Sequence, residues 1–96
     1  MYKILLVKSF LEDYKRLTFK DNILKKKIQK AIELLSKDPF YPSLKSHKVH
    51  ARNIGSAWSS WVSGDIRIIW EYNKGNQLTI DALSIGSHTG KNSVYR

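Results

Sequence analysis

The sequence predicts an α+β domain in which a strand and a helical hairpin pack on one face of a largely antiparallel sheet of four to five strands. Three observations predict it. Apolar residues recur at helical spacing between Phe10 and Leu35. From Ala57 onward they alternate with polar residues at the two-residue period of strands. A segment carrying Pro39 and Pro42 separates the two regimes, because proline restricts both itself and the residue before it.

Taken in order, "YKILLV" (Tyr2 to Val7) is rich in branched apolar residues and reads as a buried strand. Ser9, with Glu12 three residues on, has the pattern of a capping box and predicts a helix start. Phe10, Leu11, Tyr14 and Leu17 supply its apolar stripe, and the helix is expected to end near Phe19-Lys20. Asp21 or Asn22 can cap a second helix, whose stripe is Leu24, Ile28, Ala31, Ile32 and Leu35. Lys25, Lys26, Lys27 and Lys30 stand on its other faces, and the short connection predicts an antiparallel pair. A loop then leads to a short strand around Ser46 to His50. Three strand candidates follow, "AWSSWVSG", "DIRIIWEYN" and "QLTIDALSI", separated by Gly64-Asp65 and by "NKGN", both good turn material. Ile66, Ile68, Trp70 and Tyr72 should face one way, while Arg67 points to the sheet face that no helix covers. The last strand is expected to break at Gly86.

Composition bounds the function. Ninety-six residues make one domain, residues 1–96, with a single modest core. No apolar run approaches the ~20 residues that span a bilayer, and the acidic residues after the apolar start do not fit a secretory signal. Without cysteine, disulfides, thiolate zinc sites and cysteine nucleophiles are excluded together, and a cytoplasmic location is the expectation. Seventeen basic against eight acidic residues give a formal charge of +9, which favours a polyanionic partner, with nucleic acid first, and an acidic protein or anionic surface behind it.

No triad signature, glycine-rich phosphate loop or nucleotide-binding fingerprint is present. His47 and His50 form an H-x-x-H pair, but three-residue spacing on a strand sends them to opposite faces and no third ligand is placed to complete a metal site. The remaining chemistry lies in His47, Asp65, Arg67, His88 and Tyr95, near strand ends. These residue types suit RNA cleavage by the substrate's own 2′-OH. A histidine can take or give the proton, an arginine can clamp the phosphate, and a tyrosine can stack on a base. The reaction requires no metal or other cofactor. Each also has a structural reading: Arg67 as a partner of Glu71 or Asp81, Asp65 as a turn residue, Tyr95 as a terminal anchor, and the three tryptophans as core.

The string "LKSHKV", then "WSSWVSGDIRIIWEY", then a strand ending in "IGSH" and the closing "VYR" resembles the RelE/ParE superfamily of bacterial toxins, most of all its YafQ-like mRNA interferases of the RelE/StbE type. The resemblance covers nearly the whole chain, and its specific part runs from Leu44 to Arg96. It implies a helical hairpin on one sheet face and a catalytic face opposite. It further implies metal-independent endoribonuclease cleavage of mRNA, usually on the ribosome, and a cognate antitoxin that wraps the toxin into a hetero-oligomer. Position by position, His47 is similar to the histidine of the family's "K-x-H-P/K-L" segment and Asp65 to the acid before the central strand. Arg67 is similar to the phosphate-binding arginine, His88 to the residue two after the strand-ending glycine, and Tyr95 to the terminal aromatic. His47 and His88 would then share acid and base work, Asp65 would orient one of them, Arg67 would bind the scissile phosphate and Tyr95 would stack or orient. Lys45, Lys48, Arg52 and Lys91, with the lysines of the second helix, would hold the RNA backbone. Two departures stand out: Ser59, Ser60 and Trp61 replace the family's lysines or histidine, and "TGKNS" lengthens the spacing between His88 and Tyr95 from four to seven. The superfamily also contains gyrase-inhibiting members of the same fold without ribonuclease chemistry, which is the alternative reading, together with a degenerate toxin that only binds its antitoxin.

Overall fold

The computed structural model describes residues 1–51 and 53–87. Its elements are β1 (Lys3–Leu6), α1 (Lys8–Thr18), α2 (Asn22–Lys37), a 3-10 turn (Pro42–Leu44), β2 (His47–Ala51), β3 (Gly55–Ser63), β4 (Ile66–Asn73) and β5 (Asn76–Ser87). The five strands form one sheet in the order β1-β5-β4-β3-β2. Neighbours are antiparallel except β1 and β5, which run parallel. A parallel pair needs a crossover, and the α1–α2 hairpin is part of it.

The helices cover one sheet face. Phe10 from α1 and Ile28, Ala31 and Leu35 from α2 pack on Val62, Ile68, Trp70, Ile80, Ala82 and Ile85. Ile66 and Tyr72 join them at the margin, so the alternation predicted for β4 holds and Arg67 belongs to the other face. The predicted cap of α2 is present: Asp21 Oδ1 accepts from the Leu24 amide at 3.0 Å. Asp21→Ala should therefore lower stability by about 1 kcal/mol, read as a reduced urea midpoint with an unchanged slope.

Three expectations fail for tertiary reasons. The opening strand is not buried: β1 is an edge strand, and Leu5 and Leu6 are 38% and 37% exposed. Ser9 does not cap α1. The Val7 amide is tied to the Ala82 carbonyl at 3.2 Å, so the helix starts directly off the strand, and the Ser9 hydroxyl donates to the Leu83 carbonyl at 2.6 Å. Nor does the last strand break at Gly86, since Gly86 pairs with Arg67 and Ser87 with Ile66. No described helix is long and apolar enough to cross a membrane.

Candidate functional site

Directly paired residues share a sheet face, so the register identifies what stands on the face opposite the helices. His47, Ser59, Ile69 and Ser84 form one row across β2, β3, β4 and β5. Trp61, Arg67 and Gly86 form the next row at the end of the sheet. Val49, Ala51, Ala57 and Ile69 make a small apolar cluster beside them. His47 thus lies two strands across and two residues along from Arg67, about 12 Å between α-carbons at ordinary sheet spacings.

Local structure aims each group. Lys45, the residue after the 3-10 turn, takes a left-handed conformation with φ of 49°. Its carbonyl meets His47 Nδ1 at 2.9 Å. A carbonyl can only accept, so Nδ1 carries the hydrogen, and in the neutral ring the lone pair falls on Nε2. His47 itself is exposed. The approach to His47 is fixed from below by a chain of polar groups. Ser46 Oγ spends its hydrogen on the Pro39 carbonyl at 2.6 Å, so Ser60 Oγ donates to Ser46 Oγ at 2.6 Å and accepts from Trp70 Nε1 at 2.7 Å.

The β3–β4 turn orients the arginine. Gly64, with φ of 52°, adopts the left-handed backbone that a two-residue hairpin loop needs. Its carbonyl accepts from both Trp61 Nε1 at 2.8 Å and Arg67 Nη1 at 3.1 Å. A second bond from Nη1 to the Ile66 carbonyl at 3.2 Å leaves Nη2 and Nε for a ligand. The guanidinium is thus held by main-chain carbonyls, in place of the Glu71 or Asp81 pairing that its structural reading offers. Those two carboxylates stand opposite each other further along the sheet, where Asn73 donates to Asp81 at 3.1 Å. Asp65 accepts from Ser87 Oγ, the residue immediately before His88.

The other sequence-derived candidates divide. Lys45 joins the site, with its ammonium 5.6 Å from the Trp61 ring centroid. Lys48 does not, because it pairs with Trp58 on the helix side and lies 5.4 Å over that ring. His50 points away from His47, as the spacing predicts. His88, Tyr95, Arg52 and Lys91 lie outside the described residues. Among the described residues, no group of three or more His, Asp or Glu could hold a metal ion. Sequence reasoning missed the Lys45 backbone and the Ser46–Ser60–Trp70 chain. The first has no residue-type signal, since lysine does not advertise a left-handed conformation.

A helical hairpin on one side of a five-stranded sheet is the fold of the YoeB/ParE and YafQ toxins. The structure superposes on a YoeB/ParE toxin from Agrobacterium tumefaciens with a TM-score of 0.72 and 18% identity, covering 91% of this chain and 99% of that one. It is similarly close to YafQ from Escherichia coli, with a TM-score of 0.68, 18% identity and coverage of 91% and 93%. The heterotetrameric YoeB-YefM toxin-antitoxin complex from Staphylococcus aureus gives a TM-score of 0.68, 19% identity and coverage of 93% and 99%. No protein-family profile matches the chain, and no curated protein matches it by sequence.

Proposed function

We propose that this chain is the toxin of a type II toxin-antitoxin pair and an endoribonuclease that cleaves mRNA, on the ribosome, by attack of the substrate's 2′-OH. The observation that supports the reading is that His47 and Arg67 stand on the sheet face opposite the helices, with Arg67 Nη1 bonded to main-chain carbonyls and to no carboxylate. His47 takes the 2′-OH proton as the 2′-oxygen bonds to phosphorus. Arg67 neutralises the charge that develops on the phosphoryl oxygens. His88 returns a proton to the departing 5′-oxygen, so the products are a 2′,3′-cyclic phosphate and a 5′-hydroxyl. Asp65, linked through Ser87 to the segment leading to His88, orients that histidine, and Tyr95 stacks on a base. Lys45, Arg52 and Lys91 hold the backbone, and the +9 charge speeds encounter with RNA in the cytoplasm. An antitoxin is the expected protein partner, since a neighbour of the same fold is a toxin-antitoxin complex.

Induction in cells without the antitoxin is the test. Wild type is expected to stop growth and to leave discrete 5′ ends on translated mRNAs in primer extension. His88→Ala should abolish both, and His47→Ala should slow cleavage by roughly 10²–10⁴-fold, with circular dichroism unchanged for each. Equal cleavage by wild type and the His88 variant would sink the site assignment. A DNA-damage response with intact mRNA would identify a gyrase poison instead.

A further inference from the structure

A cavity of about 290 Å³ opens between α2, the 3-10 turn and β3. Lys26, Lys27 and Lys30 rim it, Ala31, Leu34, Leu44 and Val62 floor it, and Trp61 and Ser43 complete its wall. We infer that it is a subsite for a single nucleotide of bound RNA, flanking the scissile phosphate, with the base against Trp61 and the phosphate under the lysines. The inference rests on the RNA-cleaving reading and adds a second place where the substrate is gripped.

The charge arrangement points to an anion. Lys26 and Lys30 are four residues apart on one helix, and Lys27 and Lys30 three, so all three ammonium groups crowd one face and weaken the helix by repulsion. None of the three forms an ion pair among the described residues: Lys27 Nζ donates to Ser63 Oγ at 3.3 Å, and Lys30 feels Glu33 only at longer range, since that carboxylate is paired with Lys37 at 3.1 Å. A bound phosphate would offset that repulsion. The lining selects what accompanies the charge: the floor is apolar and the wall is a planar indole, which suits an unstacked base better than a second charged group. The size limits it to one ring and its phosphate, since ~300 Å³ is the lower end for ligand pockets.

Position connects the cavity to the site. Trp61 is paired directly with Arg67, and Lys45 covers its ring at 5.6 Å. Because β2 begins at His47 opposite Ser59, β3 beyond that point is flanked by Ser46, Lys45 and the 3-10 turn in place of a strand. Trp61, half-buried, therefore borders both the Arg67 row and the cavity, and an RNA chain leaving Arg67 meets the lysines of α2 by passing this one side chain. Continuity of this kind favours a nucleotide over an acidic peptide.

The full chain is titrated with a 2′-O-methyl RNA tetranucleotide, which cannot be cleaved by 2′-OH attack, at one salt concentration. Saturable one-to-one binding with quenching of tryptophan fluorescence is expected. Lys27→Gln with Lys30→Gln should weaken it by on the order of tenfold, whereas Lys27→Arg with Lys30→Arg should retain it. Lys8→Gln with Lys74→Gln, the same charge loss outside the cavity and outside α2, should change it less than twofold. Trp61→Ala should weaken the tetranucleotide by on the order of tenfold and its abasic analogue hardly at all. The subsite is overturned if both lysine pairs weaken binding equally, if Trp61→Ala has no effect, or if the oligonucleotide does not bind. It is also overturned if a glutamate-rich peptide binds in the oligonucleotide's place with the same lysine dependence. Because nothing is cleaved, a chain without nuclease activity can still pass, so failure of the subsite and failure of the catalytic reading are told apart.

Discussion

Arg67→Gln is expected to lower the rate of mRNA cleavage by about 10²–10³-fold while leaving the fold intact, which is the range for removing one preorganised donor from a developing oxyanion. The fold should survive because Arg67 is only partly buried and its Nη1 donates to just two main-chain carbonyls, those of Gly64 and Ile66 beside the β3–β4 turn. Glutamine keeps a donor but loses the charge and the planar fork, so binding to phosphate weakens with little loss of packing. Arg67→Lys should recover only part of the rate, since an ammonium cannot reproduce two parallel bonds to one phosphoryl group. Cleavage of a translated reporter mRNA by purified protein, followed by primer extension, measures the series. A rate for Arg67→Gln within threefold of wild type would remove the arginine from the chemistry.

The largest effect on stability should come from Trp70→Ala. Trp70 is fully buried, stacks on Trp58 at 5.8 Å between centroids, and meets Tyr72 edge-on at 5.2 Å and Phe40 at 6.3 Å. Truncation of such a ring costs about 3–5 kcal/mol, against a typical domain stability of about 5–15 kcal/mol. Part of that loss is polar, because Ser60 Oγ then has no indole N–H to accept from. Urea denaturation should show the midpoint falling by a large fraction at constant slope. Trp70→Phe separates the two contributions: it keeps most of the packing and removes the hydrogen bond that begins the chain through Ser60 and Ser46 to Pro39. Since that chain anchors the segment leading to Lys45 and His47, the phenylalanine variant should lose cleavage beyond what its smaller loss of stability explains. Full activity in a stable Trp70→Phe protein would show that the anchor is dispensable.

Much of the fold was legible because local and global preferences agree. The apolar stripe of α2 is the buried one, with Ile28, Ala31 and Leu35 inside, and Asp21 caps the helix as its position suggests. The alternation in "DIRIIWEY" put Trp70 in the core and Arg67 on the opposite face, and both are found there. Where the reading went wrong, a distant strand had intervened. Ser9 and Glu12 match a capping box, yet the Ala82 carbonyl takes the Val7 amide and the helix begins earlier. The apolar residues of β1 read as buried, yet a strand with a neighbour on one side keeps Leu5 and Leu6 more than a third exposed. For all three tryptophans the sequence favours core over base stacking; Trp70 is fully buried, whereas Trp61, past the start of β2, borders both Arg67 and the lysine-rimmed cavity.

The sequence by itself determined the element types, the single-domain expectation, the charge of +9 and the presence of His47, Asp65, Arg67 and His88, since periodicity and residue chemistry are local properties. Only the tertiary structure decided that His47 and Arg67 share a face and that Lys48 does not. Strand register alone settles it, because a shift of one residue would send every side chain of β2 to the other side of the sheet.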